Sequence, residues 1–318
     1  MRIVHPLALL LGVLLFSGAV CAQSLGVGAG RQGSQNYAVN ASLAKFLNEE
    51  ADLDVRVQAY GGSGQSMSLI DAGRLDLQLV PSPDVLAAFQ GVEAFKERPL
   101  KNLRVLASLH SSAYGFMVRK DSSYQKVSDI KGRSLTHGYT AQPALRLQVN
   151  GILAAGDLSE ADIRTHMVAS VPDGVDDFIS GNVEVAYMSL EGGKTREADA
   201  AVGIRWLALD DSPQAEAAMR AFVPTAYIKV VEPGQGIVGI ERPTPMMGYD
   251  YALVAGKDVP DDVVRRVLAA MRDNPDRVRE IYRTFSAFTP ANMVPRFPGL
   301  TGHPAALAFY AESGLAGE

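Results

Sequence analysis

The chain has 318 residues, 47% hydrophobic and 20% charged, with a formal net charge of −5. That is ordinary globular composition, long enough for two domains. The acidic balance leaves no basic footprint for nucleic acid, and the single cysteine, Cys21, leaves no pair for a disulfide.

Arg2 and His5 precede an apolar run over residues 7–16, followed by Ser17-Gly18-Ala19-Val20-Cys21-Ala22. A basic start, an apolar core and a small residue at the cut read as a secretory signal, cleaved after Ala22. The run is shorter than the roughly 20 residues of a spanning helix, so cleavage is expected over a retained anchor. A lipidated Cys21 is the alternative, with Val20 bulky for the position before it. Cleavage would leave a mature chain without cysteine, hence without thiolate chemistry. An exported, disulfide-free, acidic protein fits a bacterial periplasm.

In chain order, Leu25-Gly26-Val27-Gly28 reads as a strand. A glycine-rich turn over residues 29–37 follows, then a helix through Val39, Leu43, Phe46 and Leu47. Residues 54–60 alternate as a second strand. Gly61-Gly62-Ser63-Gly64 is a second glycine-rich turn, before a short helix over 65–72. Residues 75–80 form a third strand, ended by Pro81-Ser82-Pro83, and 84–90 a helix. The order β-α-β-α-β-α implies a parallel sheet with helices on both faces. Strands are expected at 103–109 and 114–119, the second leading into another α/β unit over roughly 116–248. That unit has a short helix at 128–132, strands at 134–138, 165–170, 183–188 and 204–209, a helix from Pro143 to about Ala155, and another at 173–180. A returning strand at 248–254 is followed by helices from 258, at 276–285 and at 305–313.

Gly28-x-Gly30-x-x-Gly33 matches the dinucleotide fingerprint, but the second strand ends at Ala59-Tyr60-Gly61 without the acid that would hold a ribose. Gly192-Gly193-Lys194-Thr195 lacks the leading glycine of a phosphate loop, where Met188 stands. Gly61-Gly62-Ser63-Gly64-Gln65 has Gln65 where a nucleophile elbow needs glycine. His110, His137, His166 and His303 share no metal-type spacing. The pairs Asp176-Asp177, Asp210-Asp211 and Asp261-Asp262 suit helix starts and solvated loops. No catalytic constellation assembles, so a binding protein without cofactor or metal is expected, not an enzyme.

One ordered set of segments is more specific. It comprises residues 37–44 after the first glycine-rich loop, Gly61-Gly62-Ser63 with Leu69, Ala72-Gly73-Arg74-Leu75-Asp76-Leu77, and Asn102-Leu103-Arg104-Val105-Leu106-Ala107-Ser108-Leu109. Val127-Ser128-Asp129-Ile130-Lys131-Gly132-Arg133 follows, then His303-Pro304 with Phe309-Tyr310 and Ser313-Gly314. Over residues 24–314 the chain resembles the TAXI family, the solute receptors of tripartite ATP-independent periplasmic (TRAP) transporters. It departs from that family at Gly33-Ser34-Gln35-Asn36-Tyr37, where Gly-Gly-Thr-Tyr-Tyr is usual, and at Gln142-Pro143-Ala144, where Ser-Gly-Thr is usual.

The resemblance implies a type II periplasmic-binding-protein-like α/β fold, two lobes with crossing hinge strands and a cleft between them. Residues 1–22 would be the signal, 23–115 with 249–318 lobe 1, and 116–248 lobe 2. It implies a monomeric receptor that closes on a small, carboxylate-type anionic solute and delivers it to TRAP permease subunits. A sensor signalling to a membrane partner is the alternative, and a periplasmic enzyme a more distant one. Ligand sites use strand-end turns and helix N-termini, here the loops at 30–37, 61–65, 81–84, 137–142 and around 187–190. Gly30 and Gly33 are therefore expected to allow close backbone approach. Arg31, Gln35 and Tyr37 are expected to contact the ligand, with Ser63 and Gln65 as donors. His137, Tyr139, Thr140 and Gln142 are expected to close from lobe 2. Arg31 is the cation best placed for a carboxylate, and a solvated loop arginine is its plain alternative.

Overall fold

The computed structural model describes residues 24–315. The expected signal, with Cys21 and the cut after Ala22, lies outside the described residues.

The first three strands are β1 (Leu25–Ala29), β2 (Val55–Ala59) and β3 (Leu77–Pro81), alternating with α1 (Gln35–Glu50), α2 (Ser63–Asp71) and α3 (Ser82–Gln90). β1 lies between β2 and β3 and is parallel to both. All five of its residues are buried, as a strand covered by helices on both faces requires. Ser34 caps α1 by accepting a hydrogen bond from the Tyr37 amide (3.1 Å), and the expected stripe of Val39, Leu43, Phe46 and Leu47 is buried.

β4 (Leu103–Arg119) follows as one strand of 17 residues. It corrects the expectation of two strands, because His110-Ser111-Ser112-Ala113 lacks glycine and proline and pairs onward with its neighbour, Ser111 opposite Asp250 and Ser112 opposite Tyr249. Beyond it come β5 (Ser134–His137), α4 (Leu145–Ala155), β6 (Arg164–Met167), α5 (Val171–Ile179), β7 (Ala186–Ser189), α6 (Gly193–Val202), β8 (Ile204–Trp206), α7 (Pro213–Arg220) and β9 (Tyr227–Val231). α4 begins two residues after Pro143, which stands instead in a turn where the Leu145 amide donates to the Gln142 carbonyl (3.0 Å). α6, α7 and β9 have no counterpart among the expected elements. α6 buries only Thr195 and Ala198, so it shows no apolar stripe. α7 does carry a signal, Ser212-Pro213, with the Ser212 hydroxyl accepting from the Ala215 amide.

β10 (Thr244–Gly256) returns through the sheet, and α8 (Asp261–Asp273), α9 (Pro275–Ile281) and α10 (Pro304–Ser313) pack behind it. Along the main path the strand order is β2-β1-β3-β10-β4-β7; β8 adds to β4, β9 adds to β10, and β5 and β6 form a separate parallel pair. The first part of β10 pairs with β9 and the second with β3, while β4 spans from β10 to β7. These two strands cross between two α/β lobes. Among the described residues no helix is long and apolar enough to cross a membrane.

Candidate functional site

Where the two strands change partners, a cavity of about 70 Å³ lies between the lobes. One wall comes from the C-terminal ends of β1, β2 and β3, with Gly30, Arg31, Gln35, Ser63 and Asp84. The facing wall comes from the approach to α4, the start of α5 and the end of β7, with Gln142, Leu145, Ser170 and Ser189. Tyr114, Tyr249 and Tyr251 form the floor beside Tyr187. Strand ends and helix N-termini therefore converge from both sides.

The floor is aromatic. Tyr114 stacks on Tyr249 at 4.6 Å and 18°, and on Tyr187 at 5.8 Å and 20°. Two hydrogen-bond chains satisfy these buried hydroxyls. The Tyr114 and Tyr251 hydroxyls lie 2.6 Å apart; Tyr114 donates to Gln35 Oε1 (3.2 Å), whose amide donates to Ser112 Oγ (2.6 Å). The second chain centres on Gln148 of α4, 1% exposed. Its Oε1 accepts from Tyr187 and from Tyr249 (3.0 Å), and its Nε2 donates to Asp84 Oδ1 (2.8 Å). Ser63 donates to the other Asp84 oxygen (2.6 Å). Burial holds the tyrosine hydroxyls well above their ordinary pKa and outweighs the two donors on Asp84, whose carboxyl is pushed up from 3.8 to about 6.

The lobes are closed on each other. Arg31 Nη1 reaches across to Ser170 Oγ (3.0 Å) and Asp173 Oδ2 (2.9 Å), and Gln148 reaches Asp84 from the other side. Gly62 lies so near the opposite wall that a Cβ there would stand 2.6 Å from the Ala141 carbonyl oxygen.

Of the residues expected at the site, Gly30, Arg31, Gln35, Ser63 and Gln142 line this cavity. Gln142 also accepts from the Val171 amide (3.1 Å) and so caps α5. Gln65 lines an adjoining cavity of about 290 Å³ that shares Ser63 and Gln142. Gly33, Tyr37, His137, Tyr139 and Thr140 do not line the first cavity. Gly33 has φ of 86°, and a Cβ on it would meet nothing within 4 Å, so glycine serves the turn rather than a close approach. Tyr37 is half-buried, and Thr140 is exposed. His137 is buried against Asn150 (3.0 Å). Tyr139 bonds Thr136 (2.7 Å) and supports Tyr187 edge-on.

Asp84 and Tyr187 stand in strand-end loops that the sequence marked, without a role for either side chain; Gln148, Ser170, Tyr114, Tyr249 and Tyr251 were missed. Gln148 had a signal, a polar residue between Leu145 and Val149 on the apolar face of α4. Tyr249 and Tyr251 had another, the two-residue period of a strand.

Residues 27–314 match the NMT1-like family. The chain belongs to that family. Among solved structures it is similar to one described as a periplasmic transporter, with TM-score 0.59 and 15% identity over 94% of this chain and 96% of that one. PhnD1 from Prochlorococcus marinus in complex with methylphosphonate gives 0.53 and 14%, over 92% and 98%. A protein described as the periplasmic sulfonate-binding protein SsuA of Methylobacillus flagellatus gives 0.50 and 12%, over 93% and 96%. The fold of this NMT1-like chain is thus that of the type II periplasmic binding proteins, as the sequence led one to expect.

Proposed function

We propose that the chain is an extracytoplasmic solute-binding receptor that captures a small organic solute between its lobes, closes over it and delivers it to a membrane permease. One observation carries this reading: the paired contacts Arg31 to Ser170 and Asp173, and Asp84 to Gln148, join opposite walls around the cavity. Such a site binds by differential affinity for the closed state and needs no reacting group. Lobe boundaries at 115/116 and 248/249 fall beside the partner exchange of β4 and β10. The N-terminal signal pattern supports a periplasmic location.

The anionic expectation keeps one support and acquires a second requirement. Arg31 lines the cavity but is shared with Asp173. Asp84 lines it too, held by the neutral donors Ser63 and Gln148. The solute that uses both is a small acid that also carries a hydrogen-bond donor. Its acid group competes with Asp173 for Arg31, and its donor meets Asp84.

A TRAP-type permease is the proposed partner, supported by the ordered motif set. Those motifs sit at positions that bear the fold: His303 caps α10 by accepting from the Ala305 amide (3.2 Å), and Tyr310 donates to the Leu106 carbonyl (2.8 Å). They speak for TAXI kinship, and only through it for the permease.

The test is native mass spectrometry of solutes carried by the purified protein. Calorimetry and small-angle scattering on small acids with and without an amino group would follow. Binding with compaction is expected, strongest for acids that carry the donor. Binding without compaction, or turnover of the bound solute, would overturn the reading.

A further inference from the structure

A larger cavity, of about 900 Å³, lies against the crossing strands, lined by residues 108–111 of β4 and Asp250 of β10. Its charged wall is lopsided. Lys229, Arg283 and Arg296 face two carboxyls, Asp250 and Glu191. Asp250 accepts from Tyr227 (2.9 Å). Lys229 donates to Ser111 Oγ (2.8 Å) and Arg283 to the Gly236 carbonyl (2.6 Å), so both cations rest on neutral oxygens.

Three lining residues with buried polar atoms have no such account, Thr284 by its Oγ1 and the two that follow. His110 is 7% exposed, and neither of its ring nitrogens has a hydrogen-bond partner among the described residues. Glu191 Oε2 has none either. Burial pushes the Glu191 carboxyl up to about 7, against the pull of Lys229 and Arg283, so it offsets the cations only in part. Orphaned buried polar atoms of this kind call for an explanation. The remaining wall is mixed: Leu109, Ile237, Phe288 and Val294 alternate with neutral polar side chains such as Gln235, Ser286 and Asn292.

We propose that this chamber is a second ligand site, for an organic anion with an apolar body. The cations supply the seat for the acid group, the apolar side chains among the lining take the body, and the volume suits an organic ligand. The site is distinct from the cleft and does not depend on what the cleft binds. The two share a wall, however. The Tyr251 ring stacks on His110 at 4.3 Å and 23°, while its hydroxyl meets Tyr114 in the cleft floor. The β4–β10 register also shifts between Asp250 and Ala252, beside that stack. A ligand in this cavity therefore bears on the segment about which the lobes close.

The experiment titrates the full-length purified protein with 8-anilinonaphthalene-1-sulfonate, an apolar body bearing one anion, and with N-phenyl-1-naphthylamine, a similar body without it. One saturable site for the sulfonate is expected, at least tenfold tighter than for the uncharged amine. Lys229→Met and Arg283→Gln should each weaken the sulfonate at least tenfold and leave the amine unchanged. Equal binding of the two compounds by the unmodified protein would overturn the proposal, and so would full sulfonate affinity in both variants. Should either variant fail to fold, the comparison of the two compounds on the unmodified protein decides.

Discussion

Replacing Asp84 with asparagine should stabilise the protein near neutral pH while weakening solute binding. The Asp84 carboxyl is 6% exposed, and burial raises its pKa from 3.8 to about 6. A raised carboxylate pKa means that the folded protein keeps a proton the unfolded chain has already lost. The penalty is absent below about pH 4, grows between about 4 and 6, and is complete above that. A rise of this size corresponds to about 3 kcal/mol at pH 7. Asparagine removes the charge and can keep both hydrogen bonds, its Oδ1 accepting from Gln148 and its Nδ2 donating to the Ser63 hydroxyl. Imperfect geometry costs about 1 kcal/mol, which leaves a net gain of about 2 kcal/mol at pH 7 and a net loss of about 1 kcal/mol at pH 4. Urea unfolding at pH 4, 5, 6 and 7, followed by the fluorescence of Trp206, the only tryptophan in the chain, measures this directly. Glu191, raised to about 7, adds a pH slope of its own. It is common to both proteins and cancels in their difference. A variant less stable than the parent at pH 7, with an unchanged slope between pH 4 and 6, would refute the argument.

Gly62→Ala should leave the unfolding free energy within about 1 kcal/mol, since φ of −165° is extended backbone open to any residue. The new Cβ meets the Ala141 carbonyl at 2.6 Å, so scattering should show no compaction with solute and affinity should fall at least tenfold; normal closure would sink the steric reading. For Arg31→Ala, the pair with Asp173 is 47% and 37% exposed and so is worth under about 1 kcal/mol. Calorimetry should therefore show a loss of tenfold or more only if Arg31 holds the solute's acid group, and a loss below about fivefold would leave it as a latch. Gln148→Leu strands the Tyr187 and Tyr249 hydroxyls and removes a donor from Asp84, which should cost about 3 kcal/mol or more in denaturant unfolding. Tyr187→Phe and Tyr249→Phe should each recover part of that cost when combined with Gln148→Leu, and strict additivity of the single changes would count against the shared hydrogen-bond chain.

The fold was legible because its signals are local. The apolar alternation of strands, the helical stripes and the glycine-rich turns between them each lie within a few residues, and β1 to α3 follow them closely. The exceptions were long-range. The small polar run His110-Ser111-Ser112-Ala113 has no local reason to be a strand, and β10 opposite it supplies one. The cavity's lobe-1 loops were legible too, because strand ends and helix N-termini mark ligand walls in any sheet of this class. His137, Tyr139 and Thr140 follow a strand end by the same rule, yet they fall on β5 and its turn, outside the cavity wall.

What the sequence could not reveal is which residues meet across the cleft. Asp84 stands in the first turn of α3, where an acidic residue suits the helix dipole, and nothing near it in sequence tells of Gln148, 64 positions on. The crossing strand poses the same problem in a sharper form. Its period of two puts Tyr249 and Tyr251 on one face and Asp250 on the other, and the pattern is visible in the bare sequence. Only pairing with β3, β4 and β9 decides that the tyrosines floor the cleft while Asp250 lines the second cavity. A single strand thus contributes to both cavities. A change on either face of it, even one remote from the bound solute, should therefore register in how readily the lobes close.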